Sequence, residues 1–126
     1  MTRAWLGSSL RISPDGQARF LRALLALRRP ASPQAQRLAL EIVPAFAAAG
    51  GWRVRGKTGA AETRGGTFGW FVGWADRDGR RVVFARLVRG EPSSAAAAAA
   101  EARDGLLAKL ATLAETAEAP APARAP

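Results

Sequence analysis

The 126-residue chain predicts an α+β fold: two amino-terminal helices, a three-stranded antiparallel sheet and a carboxy-terminal helix. Three observations carry this. Two Ser-Pro helix starts, at Ser13-Pro14 and Ser32-Pro33, precede apolar residues at helical spacing. After Gly50-Gly51 that spacing gives way to a two-residue alternation, and an alanine run beyond it leads into leucines three and four residues apart.

Ser13 caps the first helix, Pro14 fits its first turn, and Asp15 meets the positive end of the helix dipole. Ala18, Phe20, Leu21, Leu24, Leu25 and Leu27 continue it until Arg28-Arg29-Pro30. Ser32-Pro33-Gln34 opens the second helix, with Leu38 and Ile42 on one face and a stop or kink near Pro44. Trp52 and Val54 alternate with Arg53 and Arg55, which predicts a half-buried strand running to Lys57-Thr58-Gly59. Glu62 to Gly66 reads as a loop. From Thr67 to Ala75, Phe68, Trp70, Val72 and Trp74 share one face, expected to be core, and Gly69, Phe71 and Gly73 the other. Asp76-Arg77-Asp78-Gly79 is a hairpin turn, and Arg80 to Val88 the return strand.

Ser93 or Ser94 caps the last helix, which runs through Ala95–Ala100 with Leu106, Leu107, Leu110 and Leu113 as its apolar stripe. Residues 1–116 read as the ordered part and 117–126 as a disordered Ala/Pro tail. No apolar stretch approaches the ~18 residues of a membrane span. Met1 to Leu6 shows no charged-then-apolar export pattern.

Composition excludes several chemistries. With no His and no Cys, the usual zinc and iron–sulfur sites, Ser-His and Cys-His nucleophiles and disulfides are all absent. The net charge of +9 comes almost wholly from arginine, since Lys57 and Lys109 are the only lysines. The arginines are scattered, the pattern of a solvated surface more than of a polyanion-binding stripe.

Two motif matches fail on context. Gly51 to Thr58 fits G-x-x-x-x-G-K-[ST], but a helix precedes it and none follows, the reverse of a phosphate loop. Phe68-Gly69 matches two positions of an RNA-recognition strand, and a basic sheet with aromatics could stack on unpaired bases. That leaves a single-stranded nucleic-acid-binding module as the alternative outside any resemblance.

A third pattern spans most of the chain: Trp5-Leu6-x-x-Ser9-Leu10-Arg11-Ile12-Ser13 with Gln17 and Phe20-Leu21, then Lys57-Thr58-Gly59, then Gly69-Trp70-Phe71-Val72-Gly73-Trp74. In order and spacing it resembles the carboxy-terminal half of the class D (oxacillinase-type) serine β-lactamases, and almost as well the penicillin-sensing domains of the related receptors. The resemblance implies half of a β-lactamase/transpeptidase-like domain whose substrate is a β-lactam. It implies that Lys57 keeps the cleft electropositive and that Thr58 donates to the substrate carboxylate. Gly59 leaves room for substrate against the strand, and the backbone N–H of Ala60 is the second oxyanion donor. Trp5 corresponds to the tryptophan supporting the family's carboxylated lysine, and Arg103 to an arginine binding the substrate carboxylate.

The resemblance also states what to look for elsewhere. No Ser here has Lys three residues on, so S-x-x-K, S-x-V and Y-G-N are expected upstream of Trp5, in the missing amino-terminal half. The carboxylated lysine is not in this chain, and no metal or organic cofactor is implied. Alone, the chain is expected to lack hydrolytic turnover. It is also expected to leave Trp52, Trp70, Phe84 and the leucines partly uncovered. The family implies a periplasmic or secreted location; translation from Met1 without an export signal implies the cytoplasm.

Overall fold

The computed structural model describes residues 11–64, 66–90 and 94–118. Helix α1 spans Pro14–Leu25 and α2 spans Pro33–Glu41. Both start as their sequences dictate: Ser13 Oγ accepts from the Gly16 N–H at 3.0 Å, and Ser32 Oγ from the Ala35 N–H at 3.1 Å. Helix α1 ends in a reversal in which the Leu27 N–H reaches the Leu24 carbonyl and the Arg28 N–H the Ala23 carbonyl. Leu27 stands at φ 57, a position that usually takes glycine.

Gln36 holds that strained connection down. It is only 2% exposed. Its Nε2 donates towards the carbonyls of Leu27, Arg29 and Ala31 at 3.3, 3.2 and 2.9 Å, and its Oε1 accepts from the Arg29 N–H at 2.9 Å. A glutamine in a polar helix start gives no such signal in sequence, because its partners come from the preceding loop. Gln36→Leu strands these backbone groups and is expected to cost about 2 kcal/mol, read as a lower urea midpoint at unchanged slope.

Four strands follow where three were expected: β1 Ala45–Ala47, β2 Arg53–Thr63, β3 Gly66–Arg77 and β4 Arg80–Gly90, in spatial order β1-β2-β3-β4 and all antiparallel. The extra strand begins directly after Pro44, which ends helical pairing but permits an extended edge. Three residues within Ala-rich sequence are too few for an alternation to show. Residues 62–66, expected as loop, mostly extend the hairpin: Glu62 pairs with Thr67 and Thr63 with Gly66. At the next turn Asp78 and Gly79 both have positive φ, 48° and 76°, as a tight two-residue hairpin requires.

Helix α3, Ala95–Glu118, covers one sheet face. Ser94 caps it through the Ala97 N–H at 3.1 Å; Ser93 lies outside the described residues. The helix passes the expected boundary at residue 116, and 119–126 lie outside the described residues. The core joins Val54, Phe71, Ala75 and Phe84 of the sheet to Ala102, Leu106 and Leu110 of α3. Phe71, wholly buried, meets Phe46 edge-on at 5.3 Å and Phe84 at 5.1 Å.

The expected core face of β3 is therefore corrected. Gly69, Phe71, Gly73 and Ala75 lie buried, whereas on the other face only Trp74 is buried and Phe68, Trp70 and Val72 are half-buried. Alternation identifies which residues share a face, but not which face receives the long helix. Here α3 lies so close that a Cβ on Gly69 would collide with the Ala98 carbonyl. The expected exposure is corrected for two residues: Trp52 and Phe84 are buried, at 5% and 7%. Trp70 is half-buried and the leucines Leu38 and Leu113 are exposed, as expected, and Ile12, Phe20 and Ile42 are uncovered besides, with Ile42 81% exposed. Among the described residues, no helix is long and apolar enough to cross a membrane.

Candidate functional site

Strand β1 covers only part of one edge of β2. It pairs with Arg53–Arg55, and the Gly56 N–H still donates to the Pro44 carbonyl at 3.0 Å. From Lys57 to Thr63 that edge has no strand partner among the described residues. In a strand the N–H and C=O of one residue point the same way and alternate along the chain. With Gly56 facing outward, Thr58 and Ala60 also present their backbone groups to the open edge, while Lys57 and Gly59 face β3.

The side chains complete this edge. Lys57 is exposed, and its Nζ donates to the Thr58 carbonyl at 2.7 Å, which folds the ammonium over the free edge. Thr58 is half-buried and lies on the face packed by α3, across from Phe71. Gly59 pairs with Trp70, and a Cβ there would stand 3.8 Å from Trp70 Cβ, with ordinary room. Packing within the chain therefore does not demand glycine at 59. The edge thus offers a cation, a hydroxyl, a bare backbone stretch and an outward N–H within four consecutive residues.

Arg103 lies on α3 and pairs with its neighbour: its Nε donates to Asp104 Oδ1 at 2.8 Å, with both side chains exposed. That hydrogen bond, reinforced by the opposite charges, holds the Asp104 carboxyl below the usual carboxylate range and raises the Arg103 guanidinium. No hydrogen bond or ion pair among the described residues joins Arg103 to Lys57 or Thr58. Trp5 lies outside the described residues. The structure thus gathers Lys57, Thr58, Gly59 and Ala60 and leaves Arg103 on the neighbouring helix.

Two residues that position this edge are not legible from the sequence. Glu62 Oε1 accepts from the Ala95 N–H at 3.4 Å, tying the far end of β2 to the start of α3. Arg55 Nη1 donates to the Glu41 and Val43 carbonyls at 3.0 and 3.2 Å, binding the end of α2 to the same strand. In the alternation Arg55 occupies a solvent position and Glu62 falls in the expected loop, and their partners lie 12 to 14 and 33 residues away. The segment that fits the phosphate-loop expression is strand from Arg53 to Thr58 and runs on in strand to Thr63, not into a helix.

The chain as a whole is similar to known proteins. The penicillin binding protein transpeptidase domain family matches residues 1–109. The β-lactamase OXA-9 of Klebsiella pneumoniae is 40% identical over 121 residues, covering 90% of this chain and 44% of that protein. The β-lactamase OXA-1 of Escherichia coli is 32% identical over 116 residues, covering 90% and 42%. Among solved structures, the OXA-427 class D β-lactamase superposes with a TM-score of 0.75 at 34% identity, covering 91% of this chain and 50% of that one. The class D β-lactamase YbXI from Nostoc gives 0.71 at 26%, covering 90% and 45%. The chain spans about half the length of the relatives it matches.

Proposed function

The chain belongs to the penicillin binding protein transpeptidase domain family and is class D β-lactamase-like, and from that premise we propose that it forms the substrate-binding wall of a serine β-lactam hydrolase. The observation that carries this reading is the open edge of β2, where the Lys57 ammonium overhangs the outward-facing backbone of Thr58 and Ala60.

Each group has a task in such a reaction. A β-lactam carries a carboxylate beside its strained amide. Lys57 supplies positive potential for that anion, and Thr58 donates a hydroxyl hydrogen bond to it. The substrate lies along the bare backbone at Gly59. The Ala60 N–H points to where negative charge develops on the lactam oxygen as a serine attacks the carbonyl carbon. Arg103 releases Asp104 and turns its planar fork to the same carboxylate. The serine, its base (the family's carboxylated lysine) and the Trp5-supported side of the cleft come from polypeptide beyond the described residues. The lactam C–N bond breaks as the ring nitrogen takes the proton that the serine gave to its base, and water then hydrolyses the acyl-enzyme ester, releasing the ring-opened acid and restoring the serine. The compartment in this reading is the periplasm or the exterior, where relatives of this kind meet β-lactams.

The test pairs two proteins. The 126-residue chain alone, which holds no S-x-x-K, is expected to hydrolyse a chromogenic cephalosporin no faster than buffer. A chimera in which it replaces the matched portion of OXA-9 is expected to turn over. Hydrolysis by the chain alone, or a folded chimera without turnover, contradicts the proposal.

A further inference from the structure

Glu62 is the one acidic residue of β2, and it stands at the far end of the open edge. Lys57 and Glu62 are both exposed, and five residues of extended chain set them roughly 17 Å apart along the strand. Glu62 shares a strand face with Thr58 and Ala60, the residues assigned to the substrate carboxylate and the developing oxyanion. The one described hydrogen bond of its side chain comes from the Ala95 N–H at 3.4 Å, and no ion pair among the described residues neutralises it. The edge is therefore bipolar, cationic at Lys57 and anionic at Glu62.

Substrate chemistry gives that polarity a direction. In a β-lactam the ring carboxylate lies on the nitrogen side of the strained amide, and the variable side chain hangs from the carbon on the other side of the carbonyl. With the carboxylate at Lys57 and Thr58 and the carbonyl oxygen at Ala60, the variable side chain continues along the edge towards Glu62. Two residues of strand, roughly 7 Å, separate Ala60 from Glu62. A charge at that range acts through its field, attracting a cation and repelling an anion by a few-fold each in a partly exposed cleft.

We propose that Glu62 makes this edge selective for zwitterionic β-lactams, whose side chain carries an ammonium, over those whose side chain carries a second carboxylate. The inference rests on the class D-like reading above, because it takes the edge of β2 as the substrate wall. Overall charge acts in the other direction. A chain of net charge +9 attracts a dianion over a zwitterion, so a preference for the ammonium must come from a local acid. Holding the start of α3 does not itself require a charge at 62, since a glutamine oxygen accepts the same N–H.

Three penicillins that differ only at the benzylic carbon test this in the OXA-9 chimera: ampicillin carries an ammonium there, carbenicillin a carboxylate and benzylpenicillin neither. Kinetics are measured at about pH 6.5, below the ordinary α-amino range, so that ampicillin is a zwitterion. Glu62→Gln is expected to lower the ampicillin-to-carbenicillin ratio of kcat/KM about fivefold at low salt, and Glu62→Lys to lower it further. The shift should shrink as salt rises from about 0.05 to 0.5 M. The glutamine variant keeps the acceptor for Ala95, so its melting temperature should match that of the parent chimera. A ratio unchanged in both variants, equal losses on all three penicillins included, assigns Glu62 to the α3 tether alone. That result overturns this inference and leaves the proposed function standing, because the chimera turns over. A folded chimera without turnover overturns the proposed function, and this inference falls with it.

Discussion

Replacing Lys57 with alanine in the OXA-9 chimera lowers kcat/KM for penicillins about a hundredfold or more, the loss typical of removing one preorganised electrostatic group from an active site. The fold has little stake in this side chain. Lys57 is exposed, and its one described bond is to the carbonyl of the next residue on its own strand. Stability should therefore stay within about 0.5 kcal/mol of the parent. A kinetic loss without a stability loss assigns the effect to charge at the open edge. Lys57→Arg keeps the charge but spreads it over a larger plane, so it should recover only part of the rate. Steady-state kinetics with unfolding curves on the same samples decide the matter. An alanine variant at parental rate removes Lys57 from the site.

Gly69→Val is expected to cost about 3 kcal/mol or more, a large share of the 5–15 kcal/mol that holds such a domain together. Any Cβ at 69 meets the Ala98 carbonyl and the Ala99 nitrogen, which are helix backbone and cannot swing aside as a side chain would. Helix α3 must lift off β3, and the seal over Phe71 and Val54 opens with it. The melting temperature should fall by roughly 10 °C. Gly59 is the built-in control, because a methyl there meets only Trp70 Cβ at 3.8 Å. Gly59→Ala should leave the melting temperature nearly unchanged. Equal losses at the two glycines would mean that α3 does not dock as described.

The two helix starts were legible because capping is local chemistry: Ser13 and Ser32 find their N–H partners three residues away. The β3–β4 hairpin was legible for the same reason, since Asp78-Gly79 satisfies the turn by itself. The order of Trp5, Lys57-Thr58-Gly59 and the Gly69–Trp74 strand also carried the family resemblance. Strand β1 was not legible, because its three residues gain strand character only from pairing with Arg53–Arg55.

Local rules thus determined the helices, the Asp78-Gly79 hairpin and the class of fold, while the family resemblance marked the Lys57–Ala60 segment as the candidate site. Those rules act over a few residues and hold in any surroundings. Tertiary packing decided which sheet face α3 covers, that Phe71 is core while Trp70 stays half-exposed, and that Gln36, Arg55 and Glu62 bind distant backbone. It also decided which strand edges stay open. These outcomes turn on where distant backbones meet, and the Gly69–Ala98 approach, across almost thirty residues, is set by shape that no local pattern encodes.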